Sequence, residues 1–159
     1  MKISKFFKSV GVAAALTASS FSYALGNNIN ANDNDVVLHG YDPVAYFTKS
    51  KAVKGSGKYS ANHEGAIYHF SSKSNRDMFK NNPEKYAPQF GGYCAMGVVL
   101  NKKLDVDPDA WYIDGGKLYM NLNKTVQKKW LEEVSDNIAT GHRTWDGIEH
   151  VSAKVLADE

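Results

Sequence analysis

Cys94 is the only cysteine of the 159-residue chain. It lies in QFGGYCAMGVV, residues 89–99, with Met96 two places beyond it. Thiolate and thioether are soft donors, and with imidazole they make a set suited to Cu(I). On a strand the two sulfurs would share a face; on a helix they would point about 200° apart. Gly91-Gly92 lets the backbone approach a ligand closely. Three readings of the thiol stand together: a small core residue beside a tight turn, a metal ligand, or a redox or intermolecular pairing centre.

Histidines supply the remaining donors. His69 alternates with Ile67 on a predicted strand, an apolar register that suits a packed, hydrogen-bonded ring or a ligand. His39 precedes the Asp42-Pro43 turn and could cap it or reach Cys94, with neutral imidazole the ligating form. His63 falls in a predicted turn and is expected to be solvated; His142 and His150 come late and are expected to be exposed. The candidate metal site is therefore Cys94, His39, His69 and Met96, and the candidate ion is copper. Asp105-Val106-Asp107-Pro108-Asp109 has acidic spacing but lacks the glycine turn and the closing glutamate of a calcium loop, and is expected to be a solvated loop. The sequence has no phosphate-cradling loop, His-Glu-x-x-His helix or Gly-x-Ser-x-Gly elbow. A Cys94–His39 nucleophile pair lacks an orienting third group, so binding without turnover is expected rather than catalysis.

The compartment bears on the thiol. Lys2, Lys5 and Lys8, then the apolar Val10 to Leu16, then Ser22-Tyr23-Ala24 follow the order of a cleaved secretory signal, residues 1–24. Three of the 19 basic residues lie there, leaving 16 against 17 acidic. That balance suggests neither nucleic acid nor an anionic membrane as partner, and no later stretch is apolar enough to span a bilayer. The expected location is periplasmic or secreted. A single cysteine there has no internal disulfide partner.

These residues need elements to hold them. LGNNINANDND, 25–35, lacks apolar periodicity and is expected to be a flexible linker; residues 148–159 form a weakly patterned tail. Between them an internal echo aligns GAIYHFSSKSNRDMF, 65–79, with GKLYMNLNKTVQKKW, 116–130. Gly65 meets Gly116, Tyr68 meets Tyr119, Phe79 meets Trp130, and the N-cap residue Ser72 meets Asn123. Each copy reads as hairpin, cap, helix. The second helix carries Val126, Trp130, Val134 and Ile138 at a spacing of four. The first stops near Pro83, with Met78 and Phe79 facing inward. The expectation is an α+β fold, short antiparallel hairpins with helices on one face, in which the echo is either a pseudo-duplicated hairpin–helix unit or a coincidence of one common unit.

HGYDPVAYF followed by GAIYHFSSKSNRDMFKNNPEKYAPQFGGYCA resembles the YHS-domain family in its exported bacterial branch, and the resemblance extends through AWYIDGGKLYMN toward Trp145. It implies a YHS-like domain over 36–147 and an association with heavy metals, often copper. Relatives that sense metals show D-P-V-C and F-C-S-x-x-C, and here those cysteine positions hold Ala45, Ser71 and Asn75. Alanine has no donor, and neutral serine and asparagine suit a soft ion poorly. The functional expectation is a small binding protein that holds or shields a soft metal such as copper; the alternative is a metal-free interaction or small-ligand module.

Overall fold

Two-residue turns decide the sheets. Glu64-Gly65 and Gly115-Gly116 are left-handed at both central positions (φ 51° and 85°; 54° and 75°), the backbone that matches the twist of a tight hairpin. The computed structural model describes residues 26–158; the expected signal segment, 1–24, lies outside them. The first turn joins β1 (Ser56–His63) to β2 (Ala66–Phe70), the second joins β3 (Asp107–Asp114) to β4 (Lys117–Asn121), and each pair is an antiparallel two-stranded sheet. With the helices around them, this is an α+β fold. Both hairpins carry a register shift at the start of the first strand, between Ser56 and Ser60 and between Asp107 and Trp111. The second irregularity accommodates Pro108, which could not donate to a regular ladder. Asp107 to Asp109 are thus the start of a strand and not the solvated loop expected there.

Caps set the helix starts. Asp42 caps α1 (Pro43–Lys49), with Pro43 in the first turn, where its missing N–H costs nothing. Ser72 caps α2 (Lys73–Asn81), and Asn82 with Pro83 restarts the chain as α3 (Pro83–Tyr86). Cys94 caps α4 (Ala95–Val99), and Asn123 caps α5 (Lys124–Leu131). The stripe expected on a single helix is divided. The backbone leaves the helix at Glu133 (φ −135°, ψ 51°), and α6 (Val134–Ile148) follows. The Asn137 amide donates to the freed Trp130 carbonyl at 2.8 Å. Val126 packs on one core while Trp130, Val134 and Ile138 belong to the other.

The echo reaches further upstream than the hairpins. Before each unit the chain makes a left-handed turn, Leu38-His39-Gly40 (φ 53°, 52°, 78°) and Phe90-Gly91-Gly92 (φ 56°, 59°, 82°). Corresponding hydrogen bonds follow. Val37 N–H donates to Ile67 O at 3.0 Å and Gln89 N–H to Leu118 O at 2.8 Å. Asp42 N–H donates to Val53 O, and Cys94 N–H to Leu104 O, both at 2.9 Å. Tyr68 stacks on Phe79 at 4.7 Å and Tyr119 on Trp130 at 5.4 Å. Residues 36–81 and 88–131 are two versions of one unit.

The units pack unequally. In β2, Ala66, Tyr68 and Phe70 are buried while Ile67 and His69 are half-buried. In β4 both faces are covered: Leu118 and Met120 join the first core, Tyr119 the second. One strand therefore walls both cores.

The ends are tied to this body. Residues 26–35, expected to be a flexible linker, are held by long-range bonds: Ile29 is buried, and Asn30 N–H donates to Gly91 O at 2.8 Å. In the expected tail, α7 (Ala153–Ala157) buries Leu156. Lys103, only 5 % exposed, donates from Nζ to the carbonyls of Asn27 (2.7 Å), Glu149 (2.8 Å) and Val151 (2.8 Å). Its ammonium also lies over the Tyr93 and Trp145 rings. Three carbonyls and two aromatic faces replace water around the charge.

Candidate functional site

Asp42 is a carboxylate with no solvent exposure. Its Oδ1 accepts from the N–H groups of Val44 (2.9 Å) and Ala45 (3.3 Å), the first turn of α1. Its Oδ2 accepts from Ser71 N–H (2.8 Å), Ser71 Oγ–H (2.6 Å) and the Asn75 amide (2.7 Å). Five donors converge on one anion, the arrangement a buried charge requires. Ala45, Ser71 and Asn75 are the positions that the resemblance matched to cysteines, and all three turn a donor toward this carboxylate. The local chain explains the convergence. Pro43 fixes the start of α1, while Ser71 follows β2 and Asn75 lies in the first turn of α2, so a cap and a strand–helix junction meet.

Cys94 occupies the corresponding place in the second unit. It is fully buried, and its sulfur accepts from Gly97 N–H (3.3 Å) and Leu122 N–H (3.2 Å), the counterparts of Ala45 and Ser71. The thiol lies 3.8 Å from Asn121 Oδ1, to which its S–H can donate. Burial pushes the thiol pKa up, against the pull of the backbone donors. The counterparts of the Ser71 and Asn75 side chains are Leu122 and Val126, which bring no donor. A neutral thiol in this unit and a carboxylate in the other each match the partners they are given.

The other expected donors lie in different settings. Met96 sits inside α4, two residues past the cap, half-buried between both cores, and its N–H donates to Asn121 Oδ1 at 3.4 Å. His69 lies on the half-buried face of β2, its ring close against Gly57 and Gly40. His39 turns to Asp105 Oδ1 (3.1 Å) and Val106 O (3.2 Å) through Nε2, and not to Cys94. Among the described residues no three His, Cys, Asp or Glu side chains converge on a point where they could hold a metal ion. Cys94, His39 and His69 are therefore not brought together in such a group.

A surface cleft of about 100 Å³ opens beside His39, with polar groups from Asn30, Asn32, His39 and Asp105 over an apolar floor of Ala31, Val36 and Leu38. Asn30 Nδ2 holds Asp105 Oδ1 from the other side at 2.9 Å. The sequence pointed to His39 but missed Asp105 as its partner, because 66 residues separate them. It also missed Asp42, whose signal was available: Gly40-Tyr41-Asp42 and Gly92-Tyr93-Cys94 occupy equivalent places, so cap faces cap.

No curated protein and no solved structure matches the chain. Residues 44–90 do match a family model, the YHS domain. That interval runs from α1 through both strands of the first sheet, α2 and α3 to Phe90, and includes Ser71 and Asn75 on the buried carboxylate. This part of the chain is a YHS domain.

Proposed function

We propose that this chain is an exported, non-catalytic binding protein whose YHS domain works without a soft metal in its core. The observation that supports it is the Asp42 carboxylate, closed by five hydrogen bonds in the place where metal-sensing relatives carry cysteines. A thiophilic ion finds there a hard, sealed oxygen pair and two neutral polar side chains. Cys94 offers a protonated sulfur that already serves as a helix cap, and metal binding would require it to lose both its proton and its cap. The association of YHS domains with heavy metals makes copper the rival reading. Export rests on the order of charged, apolar and small residues in 1–24; retention of the protein in the cytoplasmic fraction with Met1 intact by mass spectrometry would refute it.

The test is Cu(I) competition titration of the mature protein, beside elemental analysis of protein purified from its own compartment. The expected result is no retained copper and identical weak titration curves for wild type and Cys94→Ser. One equivalent of tightly held copper that disappears in Cys94→Ser would overturn the reading.

A further inference from the structure

The two left-handed turns are used differently. At Gly91 a Cβ would lie 1.7 Å from the Asn28 carbonyl oxygen, so the 26–35 segment sits flush on that turn. At the equivalent position the first unit keeps a full side chain, His39, at φ 52°. A non-glycine residue there carries backbone strain, and retained strain points to a use. The same N-terminal segment passes His39 but stands off from it, and the cleft lies between them.

The hydrogen bonds define what the cleft offers. Both partners of His39 Nε2 are acceptors, a carboxylate and a carbonyl, so this nitrogen carries the proton. In the neutral ring Nδ1 is then a lone-pair acceptor. Asp105 Oδ1 already accepts from Asn30 and His39, while Oδ2 has no partner among the described residues. Asn30 spends its amide N–H groups on Gly92 O and Asp105, which leaves its own oxygen as an acceptor. Asn32 spends its oxygen on the N–H groups of Asn34 and Val36, so its amide is a donor on a lining that otherwise presents acceptors and one negative charge beside apolar Ala31, Val36 and Leu38.

From this we infer that the His39–Asp105 cleft binds a guanidinium group. A guanidinium is planar, permanently charged, rich in N–H donors and weakly hydrated, so its faces can lie on Ala31, Val36 and Leu38 while its edge meets the acceptors. An ammonium ion is more strongly hydrated and loses more on the same floor. The volume suits a group of a few heavy atoms, since a cavity of about 150 Å³ holds benzene. The guanidinium can come from a small free molecule or from an arginine side chain of a protein partner. The inference rests on the reading of the chain as a binding module, and its test uses no copper, so the two can fail separately.

The experiment is a two-dimensional amide NMR titration of the ¹⁵N-labelled mature protein with methylguanidinium chloride at millimolar, non-denaturing concentrations and constant ionic strength. Saturable shifts confined to residues around 30–39 and 105 are expected, with affinity at least tenfold weaker in Asp105→Asn and in His39→Ala. Spectra of both variants that match wild type away from the cleft show that they fold. Methylammonium chloride should bind at least several-fold more weakly. An acetyl-arginine-amide arm separates the sources: tighter binding than methylguanidinium indicates a peptide arginine, equal binding a small molecule. Non-saturating shifts, equal response to methylammonium, or undiminished binding in Asp105→Asn would overturn the inference.

Discussion

The first unit closes its cap with a charge and the second with a thiol, and the neighbours change accordingly. Asp42 has Ser71 and Asn75; Cys94 has Leu122 and, in place of Asn75, Val126. Two backbone donors correspond, Ala45 and Ser71 on Asp42 with Gly97 and Leu122 on Cys94, and Asp42 accepts from Val44 N–H besides. What differs is whether side chains supply the further hydrogen bonds that make a buried carboxylate tolerable. The backbone of the unit sets where a cap must be, and the side chains around it set which chemistry that cap can have.

The aromatic pairs give the largest expected effects. Phe79 and Trp130 are the two equivalent helix residues, 1 % and 0 % exposed, each stacked on the tyrosine of its own hairpin. Phe79→Ala and Trp130→Ala should each cost about 3–5 kcal/mol in denaturant unfolding. A loss below about 1 kcal/mol for one of them would show that the units are equivalent in path but not in load.

Asp42→Ala comes next, at about 3–4 kcal/mol, because it leaves buried donors of Ser71 and Asn75 without an acceptor. Cys94→Ala should cost about 1–2 kcal/mol, since only two backbone N–H groups lose a weak acceptor. Equal losses in the two variants would break the distinction between charged and neutral caps. Cys94→Ser should lose under about 1 kcal/mol, because a serine hydroxyl caps well and finds Asn121 Oδ1 nearby.

Alkaline pH probes the packing of both units. Burial raises the phenol pKa of Tyr46 and Tyr68 in the first unit and of Tyr119 in the second, from an ordinary value of 10.0. The unfolded chain then releases these protons first. The stability linked to them is present below pH 10 and is lost as pH rises above it. Tyrosinate absorbance during alkaline titration should show these three ionising late, together with unfolding. Early ionisation of Tyr119 alone would mark the second unit as the looser one.

The parts of the molecule legible in the sequence were those written locally. Gly65 and Gly116 announced the turns, Ser72 and Asn123 the caps, Phe79 and Trp130 the inward helix faces. The first half of the echo was harder to see, because Leu38-His39-Gly40-Tyr41-Asp42 and Phe90-Gly91-Gly92-Tyr93-Cys94 share only Gly-Tyr as identities. The break between α5 and α6 left the spacing of four intact, so periodicity could not reveal it. Site residues were legible as types but not as neighbours. His39 finds Asp105, and Asp42 finds Ser71 and Asn75, through contacts that only the folded path creates. The asparagine-rich stretch 25–35 looked unstructured because its partners, Gly91, Gly92 and Asp105, lie far along the chain.

The Lys103 ammonium has a topological consequence. The carbonyls of Asn27 and Val151 both bond Nζ, at 2.7 and 2.8 Å, so the first described segment and the approach to the last helix are neighbours. The path between them is nearly a closed ring fastened by one charge, in a protein with no disulfide to do it. A ring can be opened elsewhere. The Gly115-Gly116 turn has nothing within 4 Å of either glycine's missing Cβ, and a flexible linker reaching from the end of α7 back to Asn27 would complete the ring. A circular permutant that begins at Gly116 should keep both cores, with the first unit intact between the two halves of the second.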